Sequence, residues 1–166
     1  MKVLVIYWTQ TGNTKKIAEA IYQEIKEKKE IKKLDQVDNL EGYDLTFVGF
    51  PINAFGPAAK AKKFLEENAK GKNIALFITH AAPEDMEELQ EWLARCKELA
   101  AEANLVGFFD CQGELSEQIA NILKKQEDQK LRSFGEMRDQ TLGQPDASRV
   151  ERARVFARET MKKFKG

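Results

Sequence analysis

Between residues 9 and 14 the chain reads Thr9-Gln10-Thr11-Gly12-Asn13-Thr14, directly after the apolar run Lys2–Trp8. Hydroxyl and amide side chains gather there around a single glycine. The stretch has neither the lysine pattern of a triphosphate-binding loop nor a Gly-x-Gly-x-x-Gly signature, so neither nucleotide triphosphate hydrolysis nor dinucleotide binding is expected of it. A loop that runs from a strand into a helix leaves the first backbone N–H groups of the helix without partners. The helix dipole adds positive potential at the same place. Gly12 allows a tight turn and close approach of the backbone to a ligand. The expected chemistry is capture of a compact terminal phosphate. Thr9, Thr11, Asn13 and Thr14 would act as side-chain donors, and the amides of Gln10 to Thr14 would surround the anion. Helix capping alone would account for Thr14 or Asn13, but not for four such residues around a glycine.

Other reactive or aromatic residues are few. His80, the single histidine, follows Thr79 at the end of an apolar run. It reads either as a donor to a ligand or as a hydrogen-bonded residue without redox consequence. Cys111 reads as a small buried residue closing a strand, and Cys96 and Trp92 read as core or packing residues. Phe55 is an apolar aromatic inside a loop, Pro51-Ile52-Asn53-Ala54-Phe55-Gly56-Pro57. Its burial against a flat ring would be favourable there.

The elements that must hold these residues alternate. Strands are expected at Lys2–Trp8, weakly near Ile31–Val37, at Leu45–Phe50 (ended by Pro51), at Asn73–Thr79 and at Leu105–Cys111. Helices are expected at Thr14–Lys28, Ala58–Ala69, Glu84–Ala103 and Leu115–Arg132. Ser133–Gln144 lacks a period and reads as a loop. Pro145 and Asp146 then open a last helix, with Asp146 as its cap and Val150, Ala153, Ala157, Met161 and Phe164 as its apolar stripe. That helix would cover the sheet or, alternatively, form a homodimer surface. The pattern predicts one α/β domain, an open parallel sheet with helices on both faces. Ligands of such sheets lie beyond the carboxyl ends of the strands. The loops there are 9–13, 51–57, 79–83 and 111–113.

Composition narrows the partners. Basic and acidic residues balance at 27 each, which disfavours nucleic acid. No run approaches the ~20 apolar residues of a membrane span. The start of the chain turns polar too soon for a signal peptide, and a reduced, cytoplasmic setting is expected.

The Thr-x-Thr-Gly-Asn-Thr loop after a first strand resembles the phosphate-binding loop of the flavodoxins, and the preceding Tyr7-Trp8 resembles its short-chain members. "TFVGFPI" and "KNIALFITH" resemble the third and fourth flavodoxin strands, so the likeness runs from Met1 to about Leu123. The segment from Leu131 is similar to the carboxyl-terminal extension of some uncharacterised flavodoxin-like proteins. The resemblance implies a flavodoxin-like, doubly wound, five-stranded parallel sheet of order 2-1-3-4-5. It also implies a single domain over 1–166, with 131–166 as a loop-and-helix extension, and FMN as cofactor. Thr9, Gln10, Thr11, Gly12, Asn13 and Thr14 would hold the phosphate. Pro51, Ile52, Asn53, Ala54, Phe55 and Gly56 would flank one side of the ring, and Thr79, His80, Ala81 and Ala82 the other. Many flavodoxins place an aromatic residue in the latter loop, where this chain has Ala81 and Ala82. One peptide of the second loop is expected to turn over as the flavin is reduced, either Phe55–Gly56 or Asn53–Ala54, with Gly56 the residue best suited to positive φ. The implied function is electron transfer with redox partner proteins, a reductase or an acceptor, without a catalytic side chain or a metal. The alternative on the same fold is an NAD(P)H-dependent FMN or quinone reductase.

Overall fold

The structure, a computed structural model, describes residues 1–166. Its strands are β1 (Lys2–Tyr7), β2 (Lys28–Lys33), β3 (Leu45–Asn53), β4 (Gly56–Pro57), β5 (Asn73–His80) and β6 (Asn104–Gln112). Its helices are α1 (Asn13–Glu24), α2 (Ala59–Asn68), α3 (Leu89–Glu98), α4 (Glu117–Lys124), α5 (Gln129–Glu136) and α6 (Ala147–Lys165). The long strands pair in the order β2-β1-β3-β5-β6, all parallel, while the short β4 pairs antiparallel with β3 alone. Counted without β4, this is the expected order 2-1-3-4-5.

The alternation of side chains along each strand divides the core in two. Leu4, Ile6, Val48, Phe50, Leu76 and Ile78 pack under α2 and α3. Val3, Val5, Phe47, Phe77, Phe109 and Cys111 pack under α1 and α6. Apolar residues on both faces explain why these strands read as unbroken hydrophobic runs. The last helix begins as expected: Asp146 Oδ1 accepts the Arg149 N–H at 2.9 Å. It docks on the sheet through Ala153, Phe156, Ala157 and Met161.

Several boundaries differ from expectation. α1 stops at Glu24, and the second strand occupies Lys28–Lys33, with a 3-10 turn at Leu34–Gln36 where strand was expected. "KKEIKK" has one apolar residue, so backbone pairing with β1, from Lys2↔Lys28 to Tyr7↔Lys33, defines this edge strand rather than its side chains. Its lysines are a common guard of an exposed edge. β3 runs through Pro51 to Asn53, because a proline loses only its N–H; the Pro51 carbonyl still accepts from the Ala58 N–H at 3.3 Å. α3 is shorter than Glu84–Ala103, with turns over the residues after Pro83.

The largest revision lies after β6. One helix was expected over Leu115–Arg132 and a loop over Ser133–Gln144. The chain instead forms α4, a break, α5 and a 3-10 turn at Arg138–Thr141. Ser116 caps α4 through the Ile119 N–H at 3.2 Å, and Asp128 caps α5 through the Lys130 N–H at 2.8 Å. Gly135, which reads as a loop residue, is instead a contact point. A Cβ there would lie 2.7 Å from the Ala120 carbonyl oxygen and 2.9 Å from the Lys124 nitrogen, so only glycine lets α5 approach α4 this closely. No helix of the structure is long and apolar enough to cross a membrane.

Candidate functional site

The loops at the carboxyl ends of β1, β3, β5 and β6 surround one cavity of about 610 Å³. Its lining includes Thr9, Gln10, Thr11, Asn13 and Thr14, then Pro51 to Phe55, then Thr79 to Ala82. The three sequence-distant loops expected to meet therefore do meet. Gly12 and Gly56 are the two expected residues that do not line the cavity. Gly12 bends the loop that does, and Gly56 lies in β4.

The polar end of the cavity is the start of α1. Gly12 has φ +102°, in the left-handed region that favours glycine, and a Cβ there would meet nothing within 4 Å. The first intrahelical bond runs from the Lys16 N–H to the Gly12 carbonyl at 3.1 Å. The amides of Asn13, Thr14 and Lys15 therefore precede the ladder, and no side chain caps them. The hydroxyls and amide are less free than the sequence suggests. Thr9 Oγ1 accepts the Gly12 N–H at 3.0 Å, which fixes the turn and leaves the Thr9 hydroxyl proton available. Asn13 Nδ2 donates to the Glu114 carbonyl at 2.9 Å. Thr14 Oγ1 and Thr79 Oγ1 share a proton at 2.8 Å in a buried contact. Asn13 and Thr14 thus tie the first loop to the ends of β6 and β5, while Gln10 and Thr11 line the cavity without side-chain bonds of their own.

The second loop departs from expectation. Ala54 (φ +48°) and Phe55 (φ +66°) are the residues with positive φ, and Gly56 is not among them. Flanked by the β3–β4 pair Asn53↔Gly56, they form a two-residue hairpin turn of the primed type, which usually carries Asn-Gly. Left-handed backbone at a residue with a Cβ costs on the order of 1–2 kcal/mol. Tertiary contacts hold it in place. Arg95 Nη1 donates to the Phe55 carbonyl at 3.0 Å, and Arg95 is itself held by Glu91 at 2.6 Å. The Phe55 ring packs against Trp92 with centroids 5.0 Å apart.

The third loop is strapped down by polar contacts. His80 is buried, with Nδ1 2.8 Å from the Ala82 carbonyl and Nε2 2.8 Å from Asp110 Oδ2. A carbonyl only accepts, so Nδ1–H is the donor to Ala82. Both ring nitrogens are therefore engaged inside the protein, as in the hydrogen-bonded reading of this residue. Gln112 Nε2 donates to the Ala81 carbonyl at 3.0 Å, and the Gly113 N–H to the His80 carbonyl at 2.8 Å. Just beyond, Glu84 receives Arg152 at 2.8 Å and Arg149 at 3.1 Å from α6. Partial burial works against ionisation of Glu84, but the two guanidinium groups outweigh it and hold the carboxyl below its ordinary range. Burial pushes the Cys111 thiol up to about 12, so it is not a nucleophile near neutral pH.

Part of the lining was not expected. Trp92 joins it from α3, and Ile119, Ile122, Leu123, Leu131 and Phe134 join it from α4 and α5. The spacing of 119, 122 and 123 and of 131 and 134 is that of apolar helix faces. Nothing in that spacing says which cavity the faces border.

A five-stranded parallel sheet wound on both sides, with an uncapped glycine turn opening on a cavity at the reversal of strand order, defines a flavodoxin-like architecture. Residues 4–158 match the flavodoxin domain family, and the chain belongs to it. A flavodoxin-like domain-containing protein, BilS of Clostridioides difficile, is 33% identical over 171 residues, covering 97% of this chain and 97% of that protein. A flavodoxin from the domain Archaea superposes with a TM-score of 0.61 at 17% identity, covering 100% of both chains. A Streptococcus pneumoniae flavodoxin gives 0.63 at 14% identity over 98% of this chain and 99% of that one. A Lactobacillus acidophilus flavoprotein solved in complex with FMN gives 0.53 at 25% identity, covering 75% of this chain and 99% of that chain.

Proposed function

We propose that this protein binds FMN and carries electrons between redox partner proteins, a reductase and an acceptor. The observation that carries the reading is the cavity with two unlike ends. At one end the bare amides of Asn13, Thr14 and Lys15 suit a phosphate. At the other, Phe55 and Trp92 suit an aromatic ring. The residues present fit FMN, which joins a terminal phosphate to a flat tricyclic ring. The L. acidophilus relative, solved with FMN, supports the same choice.

Bound FMN supplies transfer of one or two electrons; the protein supplies binding, orientation and environment. The backbone turn at Gly12 presents the amides, and Thr9, Gln10 and Thr11 add side-chain donors around the anion. The Thr14–Thr79 and Asn13–Glu114 bonds hold that loop to its neighbours. Of the ionisable side chains in the lining, His80 has both ring nitrogens engaged inside the protein, and Glu114 holds the Gly143 N–H through one carboxylate oxygen at 3.2 Å. Two free, buried cysteines suit a reducing, cytoplasmic setting.

Absorption spectroscopy of the purified protein, followed by anaerobic titrations, tests the reading. FMN should bind much more tightly than riboflavin, because the phosphate contributes charge-assisted bonds. Equal affinities would remove the phosphate assignment. Reduction by NADPH should be slow, whereas rapid bleaching with turnover on a quinone would establish the reductase instead.

A further inference from the structure

Three aromatic rings from three separate elements meet at the apolar end of the cavity. Phe55 comes from the β3–β4 turn, Trp92 from α3 and Phe134 from α5. Their centroids lie 5.0 Å (Phe55–Trp92), 6.0 Å (Phe55–Phe134) and 5.9 Å (Trp92–Phe134) apart. All three line the cavity, and Phe55 and Phe134 are only half-buried, so each keeps surface free for a ligand. The exposed Lys130 holds its ammonium over the Phe55 and Trp92 rings, at 5.3 and 5.6 Å, and closes the cluster on its outer side.

The segment that delivers Phe134 is fastened to the rest of the site. Gly135 seats α5 on the backbone of α4. Arg138 Nε donates to the Leu115 carbonyl at 3.0 Å, and the Leu115 N–H donates to Thr141 Oγ1 at 2.9 Å. The neighbouring Glu114 carbonyl is the one that receives Asn13 of the first loop. By contrast, the third loop brings only small side chains toward the cavity at Ala81 and Ala82. A flat ring entering this site finds its aromatic surface at the α5 end.

We propose that Phe134 is a ring-binding residue: with Phe55 and Trp92, tilted 33–49° to one another, it forms an aromatic corner that holds the isoalloxazine ring of the flavin by face and edge contacts. The inference rests on the FMN reading above. It makes α4 and α5 part of the cofactor site rather than an appendage to it.

The test measures affinities for FMN, riboflavin and ribitol 5-phosphate in the wild-type protein and in Phe134→Ala, Phe134→Leu and Phe134→Tyr. Loss of the ring should weaken FMN and riboflavin by a common factor of about fivefold or more. It should leave ribitol 5-phosphate unchanged, with bound-flavin fluorescence less quenched. Phe134→Tyr should restore wild-type binding. FMN affinity in Phe134→Ala within about twofold of wild type would overturn the proposal. So would an equal loss for ribitol 5-phosphate, which would make Phe134 a structural support of the phosphate loop. Should Phe134→Ala fail to show cooperative unfolding, Phe134→Leu decides, because it keeps apolar volume and lacks only the ring. A wild-type protein that binds neither flavin would instead remove the FMN reading itself.

Discussion

The first and second loops of the cavity both contain left-handed backbone, and they reach it in opposite ways. In the first, Gly12 adopts φ +102° where no side chain would obstruct it, and the turn is closed locally by Thr9. In the second, Ala54 and Phe55 adopt φ +48° and +66° although glycine stands next to them at position 56. The first loop is specified by its own residues. The second is imposed from outside, by Arg95 on the Phe55 carbonyl and by aromatic packing on the Phe55 ring. Strained backbone of this kind persists only where the surrounding structure over-determines it. The difference teaches that the first loop is held by its own residues and the second by its context.

Gly12→Val should have the largest effect. A β-branched residue is a genuine outlier at positive φ, at a cost of about 1–3 kcal/mol in urea unfolding. FMN affinity should fall at least tenfold, on the order of 1.4 kcal/mol or more, as the amides are misdirected. Full retention of both would mean that the loop does not need its left-handed turn. Arg95→Met comes next. It keeps the apolar stem but frees the Phe55 carbonyl, and a loss of about 0.5–1 kcal/mol is expected for a half-exposed charged donor. An unchanged urea midpoint would show that ring packing alone holds the turn. Ala54→Gly should act in the opposite direction, raising stability by about 0.5–1 kcal/mol by relieving a Cβ at positive φ. Destabilisation would indicate that the turn relaxes to negative φ in solution. Gly56→Ala should be nearly silent, within about 0.5 kcal/mol, because Gly56 lacks positive φ and a Cβ there would meet nothing within 4 Å. A loss as large as that of Gly12→Val would relocate the left-handed position to Gly56 and erase the contrast.

The same contrast explains what could be read from the chain. Long buried strands such as Leu45–Phe50 and Asn73–Thr79 announce themselves by continuous apolar residues, and the order of the sheet follows from their alternation with helices. Thr9–Thr14 is legible because its chemistry is local. The β3–β4 turn is not, since the contacts that force Ala54 and Phe55 into the left-handed region come from Arg95, Trp92 and Phe134, far along the chain. α4 and α5 hide for a related reason. Their apolar positions run on with helical spacing across the break at Asp128, and Gly135 signals a loop while serving as a point of backbone contact. A lysine-rich edge strand such as β2 has no side-chain pattern to reveal it.

The clasp of Glu84 by Arg149 and Arg152 has a consequence in time. The first loop is made well before the helix that covers α1 and ties down the third loop. Arg158 reaches back to Glu24 across 134 positions of sequence. At the ordinary pace of synthesis, ~5–20 residues per second, the wait between these two residues is on the order of ten seconds. Once β6 is made, and until α6 follows, the layer that holds Phe47, Phe77 and Phe109 has α1 but not α6 available to cover it. That layer therefore cannot be completed until α6 is made, so Phe109 and its neighbours are among the last core residues to receive their final cover.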